Sequence, residues 1–475
     1  MEPLSHDFKA RSRRALEDPV LRSALDNLSL GFVEARRRSA EALPEFEALR
    51  DLGKEIGDHA LANLDFYLRR YEERVTASGG QVHWASTPAD ACRIATDICR
   101  QAKAKKIIRG KSMIGEEVGL VDALEEAGFE TIETDLGEYI LQLAKEPPSH
   151  IVTPAIHKSK DEISDLFLQH HAARGHTERQ TERSALVQEA RQILRQAFVS
   201  ADVGITGANF LIADTGSNVI VTNEGNGDLT CTLPRVHIVT AAIDKIVPSV
   251  EDAMVLLRLL GRSATGQEIT AYTTFTTGPK RAEDHDGPQE YHVILVDNGR
   301  SIMLGNEFRD MLRCIRCGAC MNHCPVYGSV GGHAYGWIYP GPMGSVLTPI
   351  MVGLDKAGDL PNACTLNGRC HEVCPVRIPL PKLLRAHRVR QHEQRLGSGT
   401  FRFALGIWAF FASRPRIYHW ATRIVMALLG ALGRRKGVFR RMPLAGGWTR
   451  VRDLPAPQGK TFQAAWREKQ RETGR

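Results

Sequence analysis

Three features that would place this chain in familiar protein classes are absent from its 475 residues. The first residues carry no apolar run of the kind that a secretory signal contains, and no apolar run approaches the ~20 residues that a membrane-crossing helix needs. A G-x-G-x-x-G turn that opens a helix is also absent, so the usual flavin or nicotinamide fingerprint is missing. We therefore expect a cytoplasmic protein without a dinucleotide-binding turn.

Acidic residues are missing from residues 401–450, which hold ten Arg or Lys side chains. The same segment contains two apolar runs, 403–412 and 424–432, each about half as long as a bilayer span. A basic amphipathic segment of this kind can make a peripheral contact with anionic lipid at the inner face of the membrane. The alternative, which we favour, is a helical arm that packs on the protein itself or on a partner subunit. Because the positive charge is confined to this segment, we expect no nucleic-acid partner.

Seven of the ten cysteines lie in two groups that each end in Cys-Pro. The first group has the spacing C-x2-C-x2-C-x3-C-P, which holds a [4Fe–4S] cluster in bacterial ferredoxins. In two-cluster ferredoxins the last cysteine of such a run ligates the other cluster. We therefore predict two clusters, the first on Cys314, Cys317, Cys320 and Cys374, and the second on Cys324, Cys364 and Cys370.

Zinc and disulfides explain these cysteines less well. Structural zinc sites take four ligands in two separated pairs, and three cysteines at C-x2-C-x2-C fit that arrangement poorly. A disulfide framework is unexpected in a long chain without an export signal. The other three cysteines, Cys92, Cys99 and Cys231, are scattered and are expected to pack as small apolar residues.

The second cysteine group lacks one thiol, because Asn367 stands in the middle slot. With three thiolates this site suits a [3Fe–4S] cluster, or a [4Fe–4S] cluster whose fourth iron is completed by water, Asn367 or His371. Asparagine is a poor iron ligand, since iron in such clusters prefers soft thiolates. The simpler interpretation, which we favour, is that Asn367 only hydrogen-bonds its own loop.

Short apolar runs alternate with helical periodicity between residues 76 and 300, which is typical of an α/β domain with a mainly parallel sheet. The last strands follow one another through short turns, so part of the sheet is expected to be antiparallel. We predict strands at 81–85, 106–110, 129–134, 150–154, 209–214, 218–223, 235–240, 269–276 and 291–296, and helices at 88–102, 116–127, 158–200 and 249–261.

The chain divides into four predicted regions. Helical periodicity at the N-terminus suggests a cap on the α/β domain, and the long spacer between the cysteine groups predicts a helical two-cluster module. These regions are an N-terminal helical region (1–75), the α/β domain (76–300), the two-cluster domain (301–395) and a basic C-terminal region (396–475).

Glu224 is the one candidate catalytic residue that the α/β domain offers, and it is a weak one. It lies in the loop Asn223–Gly227, where glycines allow a ligand to approach the backbone and a carboxylate can act as a base. A plain turn explains this loop equally well, and it explains the 214–218 loop better than a ligand does. Four further side chains lie near predicted strand ends, where α/β sheets bind ligands, although we favour a purely structural role for them: Lys111, Glu116, His157 and Lys158.

With these motifs in place, the chain resembles the lactate utilisation protein B family, iron–sulfur proteins of bacterial L-lactate oxidation. The resemblance rests on the order of the two Cys-Pro groups and on the segments 111–120, 133–140, 148–158, 204–210 and 221–227. It implies an α/β domain of the LUD type, similar to the CoA-transferase and sugar-phosphate-isomerase group, followed by an α-helical two-cluster ferredoxin domain. Family members often carry Cys where Asn367 stands, with Ser near position 364, so this chain departs from the pattern at its second cluster.

The resemblance also implies a function. The protein is expected to be an electron-transfer subunit that works with two sister lactate-utilisation proteins to oxidise L-lactate to pyruvate, with an electron acceptor that the sequence does not identify. Whether this chain is itself an enzyme stays open. The alternative is that its α/β domain is a catalytic or ligand-sensing module and that the clusters are accessory.

Overall fold

The computed structural model describes residues 3–110, 112–442, 446–449 and 452–472. The chain forms two compact units, Met1–Gln394 and Arg395–Arg475. The first unit contains the N-terminal helices, the α/β domain and both cysteine groups, and the second contains the basic C-terminal segment. The division into four domains stays a prediction.

The N-terminal helices are α1 (Phe8–Leu16), α2 (Pro19–Leu28), α3 (Glu34–Glu41), α4 (Phe46–Ala62) and α5 (Leu64–Ala77). The sequence predicted that these helices cap the α/β domain, but they contact the cysteine region as well. Helix α4 packs on the α/β domain, while α1 packs against the chain near Tyr327 and Tyr335 in the cysteine region. Two buried arginines of this region reach the second cysteine group, since Arg36 donates to Val373 O and Arg50 to Cys374 O.

Six parallel strands form the main sheet in the order β1-β10-β7-β4-β2-β3. Its central strands are buried along their length, as a sheet covered on both faces requires. These strands are β1 (Gln81–Ala85), β2 (Lys106–Arg109), β3 (Glu130–Glu133), β4 (Val203–Gly207), β7 (Val236–Ala242) and β10 (Glu290–Val296).

A second sheet with the order β8-β5-β6-β9 contains the expected antiparallel pairs. Its strands are β5 (Phe210–Ile212), β6 (Ser217–Thr222), β8 (Ile246–Val247) and β9 (Tyr272–Thr276). The helices of this domain are α6 (Pro88–Gln101), α7 (Met113–Val118), α8 (Leu120–Glu126), α9 (Leu136–Ala144), α10 (Lys160–His171), α11 (Arg183–Ser200), α12 (Asn226–Thr232) and α13 (Val250–Ala264).

Three predicted elements differ from the structure. Residues 150–154 form a loop and not a strand, because the His150 ring accepts hydrogen bonds from the backbone N–H groups of Val152 and Thr153. The predicted helix 116–127 is two helices, α7 and α8, separated by Gly119 at φ 74°. The predicted helix 158–200 is also two helices, α10 and α11.

Short helices carry the cysteine region. They are α14 (Arg300–Leu304), α15 (Ala319–Asn322), α16 (Tyr327–Val330), α17 (Gly341–Val352), α18 (Leu354–Ala357), α19 (Asp359–Ala363), α20 (Arg369–Glu372) and α21 (Leu380–Glu393). Their apolar side chains share one core with those of the N-terminal helices and α13. The cysteine loops thus lie in a core that is formed by segments preceding them in the chain as well as by their own short helices.

The second unit contains helices α22 (Gly399–Ala412), α23 (Pro415–Gly433), α24 (Gly446–Thr449) and α25 (Phe462–Glu472), and the antiparallel pair β11 (Val438–Phe439) and β12 (Leu454–Pro455). Helices α22 and α23 contact each other. Within the described part of the chain, none of the helices combines the length and the apolar character that a bilayer crossing demands.

Candidate metal centre and adjoining cavity

The two cysteine groups form loops with the same backbone turns, fifty residues apart in the numbering. Positive φ angles occur at Arg316 (58°) and Gly318 (76°) in the first loop, and at Leu366 (56°) and Gly368 (87°) in the second. A positive φ is unusual for residues other than glycine, so its recurrence at Arg316 and Leu366 marks a repeated loop and not a coincidence. Each loop leads into a four-residue helix and then into Cys-Pro.

One small cavity beneath the first loop is lined by Cys314, Cys317, Cys320 and Cys374. Three of these come from the first group, and Cys374 crosses over from the second. Burial, together with neighbouring thiols, raises the pKa of Cys317 to about 12 and that of Cys320 well above its usual value. Such thiols lose their protons when a metal binds, because only the thiolate is a ligand.

The remaining three cysteines of the two groups also lie together. Cys324 and Cys370 each interact electrostatically with Cys364, and Cys370 interacts with Cys324 as well. Cys320 of the first set interacts with Cys370 of the second, so the two sets are neighbours. The structure therefore brings the seven cysteines together as a set of four and an adjacent set of three.

Asn367 faces its own loop at the place that corresponds to Cys317. Its Oδ1 accepts a hydrogen bond from the Arg369 N–H at 3.2 Å, and the side chain is exposed. Cys317 makes the equivalent contact two residues ahead, with the backbone of Ala319. The amide oxygen of Asn367 thus takes the loop contact that a cysteine sulfur makes in the first group.

The cysteine sulfurs are too far apart for a single zinc ion. Among the described residues, no three cysteine sulfurs lie within 4.8 Å of one another. Zn–S bonds of ~2.3 Å in a tetrahedron would place the sulfurs roughly 3.8 Å apart. Wider spacing suits a multi-iron core, and the backbone N–H groups of Leu366 and Ile378 already donate to Cys364 Sγ and Cys374 Sγ at 3.3 Å. Hydrogen bonds of this type tune iron–sulfur sites.

Cations surround the set of four on several sides. Lys245 Nζ donates to Cys314 O at 2.7 Å, and the Arg50 guanidinium donates to Cys374 O at 2.9 Å. Arg36 lies near Cys317, and Arg316 belongs to the loop itself. Positive charge at this place offsets the negative charge that thiolates and an iron–sulfur core bring into a buried site.

The set of three lies closer to the surface. Thr365, Leu366 and Asn367 are exposed, and Leu366 is 39% exposed although it is apolar. In the first loop the corresponding Ile315 and Cys317 are buried. The two sites therefore differ in their contact with solvent as well as in their number of thiols.

A cavity of about 620 Å³ lies at the carboxyl edge of the main sheet and extends to the first cysteine loop. Open α/β sheets bind ligands at this edge. Gly207 and Ala208 line it at the end of β4, Ala242 lines it at the end of β7, and Ile315 and Arg316 close it on the side of the cysteines. The α/β domain and the metal centre thus share a wall.

Glu224 lines this cavity from the exposed loop after β6. The loop is also a well-bonded turn, because Thr222 donates to Glu224 O and Asn223 accepts from the Ala271 N–H. Both interpretations of the loop remain compatible with its geometry. The 214–218 loop is the hairpin turn between β5 and β6, with Gly216 at φ 71°, and it does not line this cavity.

The other side chains near strand ends do not meet at the cavity. Lys111 lies outside the described residues. Glu116 pairs with the buried Arg109, while His157 and Lys158 both contact the Glu146 carboxylate, at 2.8 and 2.5 Å. The two contacts of Glu146 join the ends of the 145–158 loop, and none of the three described side chains lines that cavity.

Sequence reasoning missed the cations of the site. Arg36, Arg50, Lys245 and Arg316 come from four separate parts of the chain, and only Arg316 had a local signal, since it lies inside the first cysteine group. Long-range packing, which the spacing of residues does not reveal, assembles the rest.

Comparison with known proteins agrees with this geometry. Three family models match consecutive segments: the LUD domain over residues 68–296, the 4Fe-4S dicluster domain over 310–378, and the lactate utilisation protein B C-terminal segment over 385–471.

Full-length relatives extend the match over the whole chain. Lactate utilization protein B of Bacillus subtilis (strain 168) is 44% identical over 96% of this chain and 95% of its own, and that of Bacillus pumilus (strain SAFR-032) is 42% identical over 98% of both. A protein of Escherichia coli (strain K12) called "Uncharacterized electron transport protein YkgF" is 42% identical over 98% of this chain and 97% of its own. The chain therefore belongs to the lactate utilisation protein B family, with a LUD domain followed by a 4Fe-4S dicluster domain.

Proposed function

We propose that this protein is the iron–sulfur electron-transfer subunit of a complex that oxidises L-lactate to pyruvate. The observation that carries the proposal is the adjacency of two thiol sets, four and three in number, inside a segment that matches a 4Fe-4S dicluster domain. Clusters bound there would accept and release single electrons, and so divide a two-electron oxidation into single steps.

We assign one set of thiols to each of the two proposed clusters. Cys314, Cys317, Cys320 and Cys374 would hold a [4Fe–4S] cluster. Cys324, Cys364 and Cys370 would hold a second cluster, of the [4Fe–4S] or [3Fe–4S] type. Buried apolar side chains such as Met311 and Val376 keep bulk water from the first set, while the exposed 365–367 turn brings the second within reach of a partner.

The sister lactate-utilisation proteins are the proposed partners. They are proposed because the chain belongs to the lactate utilisation protein B family. The kinship of the α/β domain with the CoA-transferase and isomerase group also stays a prediction. A second candidate function, ligand binding or catalysis by the α/β domain, is favoured by one observation only, the cavity that adjoins the first cysteine loop.

Peripheral membrane contact through the C-terminal segment is part of the proposal. All fourteen residues of α22 are described and none is buried, although the helix contains Phe403, Trp408 and Phe410. Exposed apolar side chains, in a segment with basic and no acidic residues, are those that anionic lipid attracts. Sedimentation with anionic and with neutral vesicles tests this contact. If the protein binds neither kind of vesicle but binds a sister protein, the exposed face of α22 is a protein-binding surface and not a membrane-binding one.

Lactate-dependent reduction of a redox dye tests the main proposal. Anaerobically purified protein is assayed alone, with each sister protein and with both. We expect reduction only when the sister proteins are present, and we expect loss of that activity when Cys317 is replaced by serine. Reduction by this chain alone would replace the electron-transfer proposal with the catalytic one, and zinc in place of iron would overturn both cluster assignments.

A further inference from the structure

The cavity at the sheet edge has a cationic, charged end and mostly apolar walls, and its lining also includes the carboxylates of Asp135 and Glu224. Arg316 and Lys245 lie at the charged end, next to the first cysteine loop, while the walls are formed by side chains such as Ile151, Pro154 and Leu260. At about 620 Å³ it falls within the ~300–1,000 Å³ range of pockets that enclose organic ligands of some size. A lactate ion, with six non-hydrogen atoms, would leave most of it unfilled.

Arg316 is a cation without a carboxylate partner in the described part of the chain. Its Nη1 contacts the sulfur of Met343 at 3.3 Å, and its guanidinium lies over the Tyr339 ring at 4.7 Å. No acidic side chain lies within 4.0 Å of it, whereas the nearby Arg300 is paired with both Glu117 and Asp244. Arginine stays protonated in proteins, so most of its five N–H donors remain available to an anion.

Lys245 supplies a second donor at the same end. The buried ammonium donates to Asp244 and to Cys314 O, which uses two of its three N–H bonds. Asp244 forms its ion pairs with Lys245 and Arg300 and acts on Arg316 only at longer range, so its single negative charge is shared among three cations. A guanidinium and an ammonium at one end of an apolar cavity match a carboxylate with an apolar body.

We propose that this cavity binds a monocarboxylate with an extended apolar body, its carboxylate on Arg316 and Lys245 and its body along the apolar walls. Because Arg316 also borders the cavity of the four cysteines, a bound carboxylate adds negative charge beside the first cluster. The cluster state then changes the affinity: oxidised protein binds the carboxylate several-fold more tightly than reduced protein, since the coupling is reciprocal. This last step rests on the proposed electron-transfer function, but the site itself does not.

Octanoate is the probe, with butyrate and octanamide for comparison, titrated calorimetrically into anaerobic, cluster-containing protein. Burial of each added methylene, at ~0.8 kcal/mol, strengthens binding about fourfold, so octanoate with its four extra methylenes is expected to bind up to roughly 200-fold more tightly than butyrate. Octanamide has no charge and is expected to bind much more weakly. Equal binding of octanoate and octanamide, or no binding of octanoate, would overturn the proposal.

Arg316→Gln is expected to weaken octanoate binding at least about tenfold, which corresponds to the loss of one charge-assisted contact. Arg36→Gln is the matched control, because Arg36 is buried near Cys317 but does not line the cavity. If both variants weaken binding equally, Arg316 only offsets the charge of the first cluster and the proposal is wrong. The absorbance of the iron–sulfur clusters, measured on each variant, identifies any variant in which the clusters have not assembled.

Ala208→Leu provides a second variant that changes no charge. Ala208 lines the cavity at the end of β4, so a larger side chain there reduces the space for the apolar body. We expect octanoate affinity to fall while butyrate affinity is kept. An unchanged octanoate affinity would place the ligand elsewhere. Titration of reduced protein then separates the two hypotheses: tight binding without dependence on redox state keeps the carboxylate site and rejects only the coupling to the cluster.

Discussion

The loop from Cys314 to Cys320 and the loop from Cys364 to Cys370 have the same backbone turns, but the protein surrounds them differently. The first is buried, carries three thiols and adjoins Lys245, Arg316 and the ligand-sized cavity. The second is exposed at 365–367, carries two thiols and has Asn367 where the first has Cys317. One local fold thus produces two unlike sites, and the difference lies in the surroundings. For the proposed electron-transfer function, a protected site next to a cavity and an accessible site next to solvent predict a direction of transfer, from the α/β domain toward a partner.

The strongest test of this comparison is the crossing of Cys374. Replacing Cys374 with serine is expected to remove the first cluster, with about four irons per chain, although Cys374 belongs to the second group. The EPR spectrum and iron content of Cys374→Ser should match those of Cys317→Ser. Cys324→Ser should instead match Cys364→Ser. Should Cys374→Ser resemble Cys370→Ser, each group would hold its own cluster and the crossed assignment would fail.

Restoring a thiol at position 367 should make the two sites alike. Asn367→Cys places a sulfur where the first loop has Cys317, so a [3Fe–4S] cluster at the second site should become [4Fe–4S] and gain about one iron per chain. Loss of the oxidised [3Fe–4S] EPR signal measures the change. Thr365→Cys, two residues away and equally exposed, is the control. A wild-type spectrum of two [4Fe–4S] clusters that Asn367→Cys leaves unaltered would show that the missing thiol is of no consequence.

Local spacing predicted most strands, because these depend on residues that are close in sequence, while the assignment of the seven thiols to two clusters stays a prediction. The loop at 150–154 could not be predicted this way. Its apolar run suits a strand, but His150 bonds the N–H groups of Val152 and Thr153 and contacts Asn322, which is 172 residues away. The cations of the site could not be predicted either, because they come from distant parts of the sequence. Arg36 and Arg50 reach the second cysteine group only when the N-terminal helices pack on the cysteine region. The sequence predicted that Asn367 hydrogen-bonds its own loop, as its Oδ1 does with the Arg369 N–H. It did not show that this hydrogen bond repeats the contact that the Cys317 sulfur makes in the first loop.

The difference in exposure predicts an order of cluster loss. Under an iron chelator or mild oxidation, the second cluster should be lost several-fold faster than the first, because the 365–367 turn is exposed whereas Ile315 and Cys317 of the first loop are buried. Time-resolved EPR and iron release follow the two populations. Cys364→Ser, which lacks the second site, should show only the slow phase. A single phase in wild-type protein would mean that the two loops are equally protected and would remove the basis for a direction of transfer.

The smallest expected effect concerns the two arginines that bond the backbone carbonyls of the cysteines. Arg50 is 4% exposed and donates to Cys374 O and Glu372 O, while Arg388, which is partly exposed, donates to Cys364 O and Pro361 O. Arg50→Gln removes charged donors from Glu372 O and from the buried Cys374 O, which keeps only the Arg377 N–H, and should lower the free energy of unfolding by about 2–3 kcal/mol. Arg388→Gln should lower it by about 1 kcal/mol, because water can reach the freed carbonyls. Anaerobic urea unfolding compares the two. Equal losses would indicate that the surroundings of the two loops are energetically alike, and that their difference is one of thiol number alone.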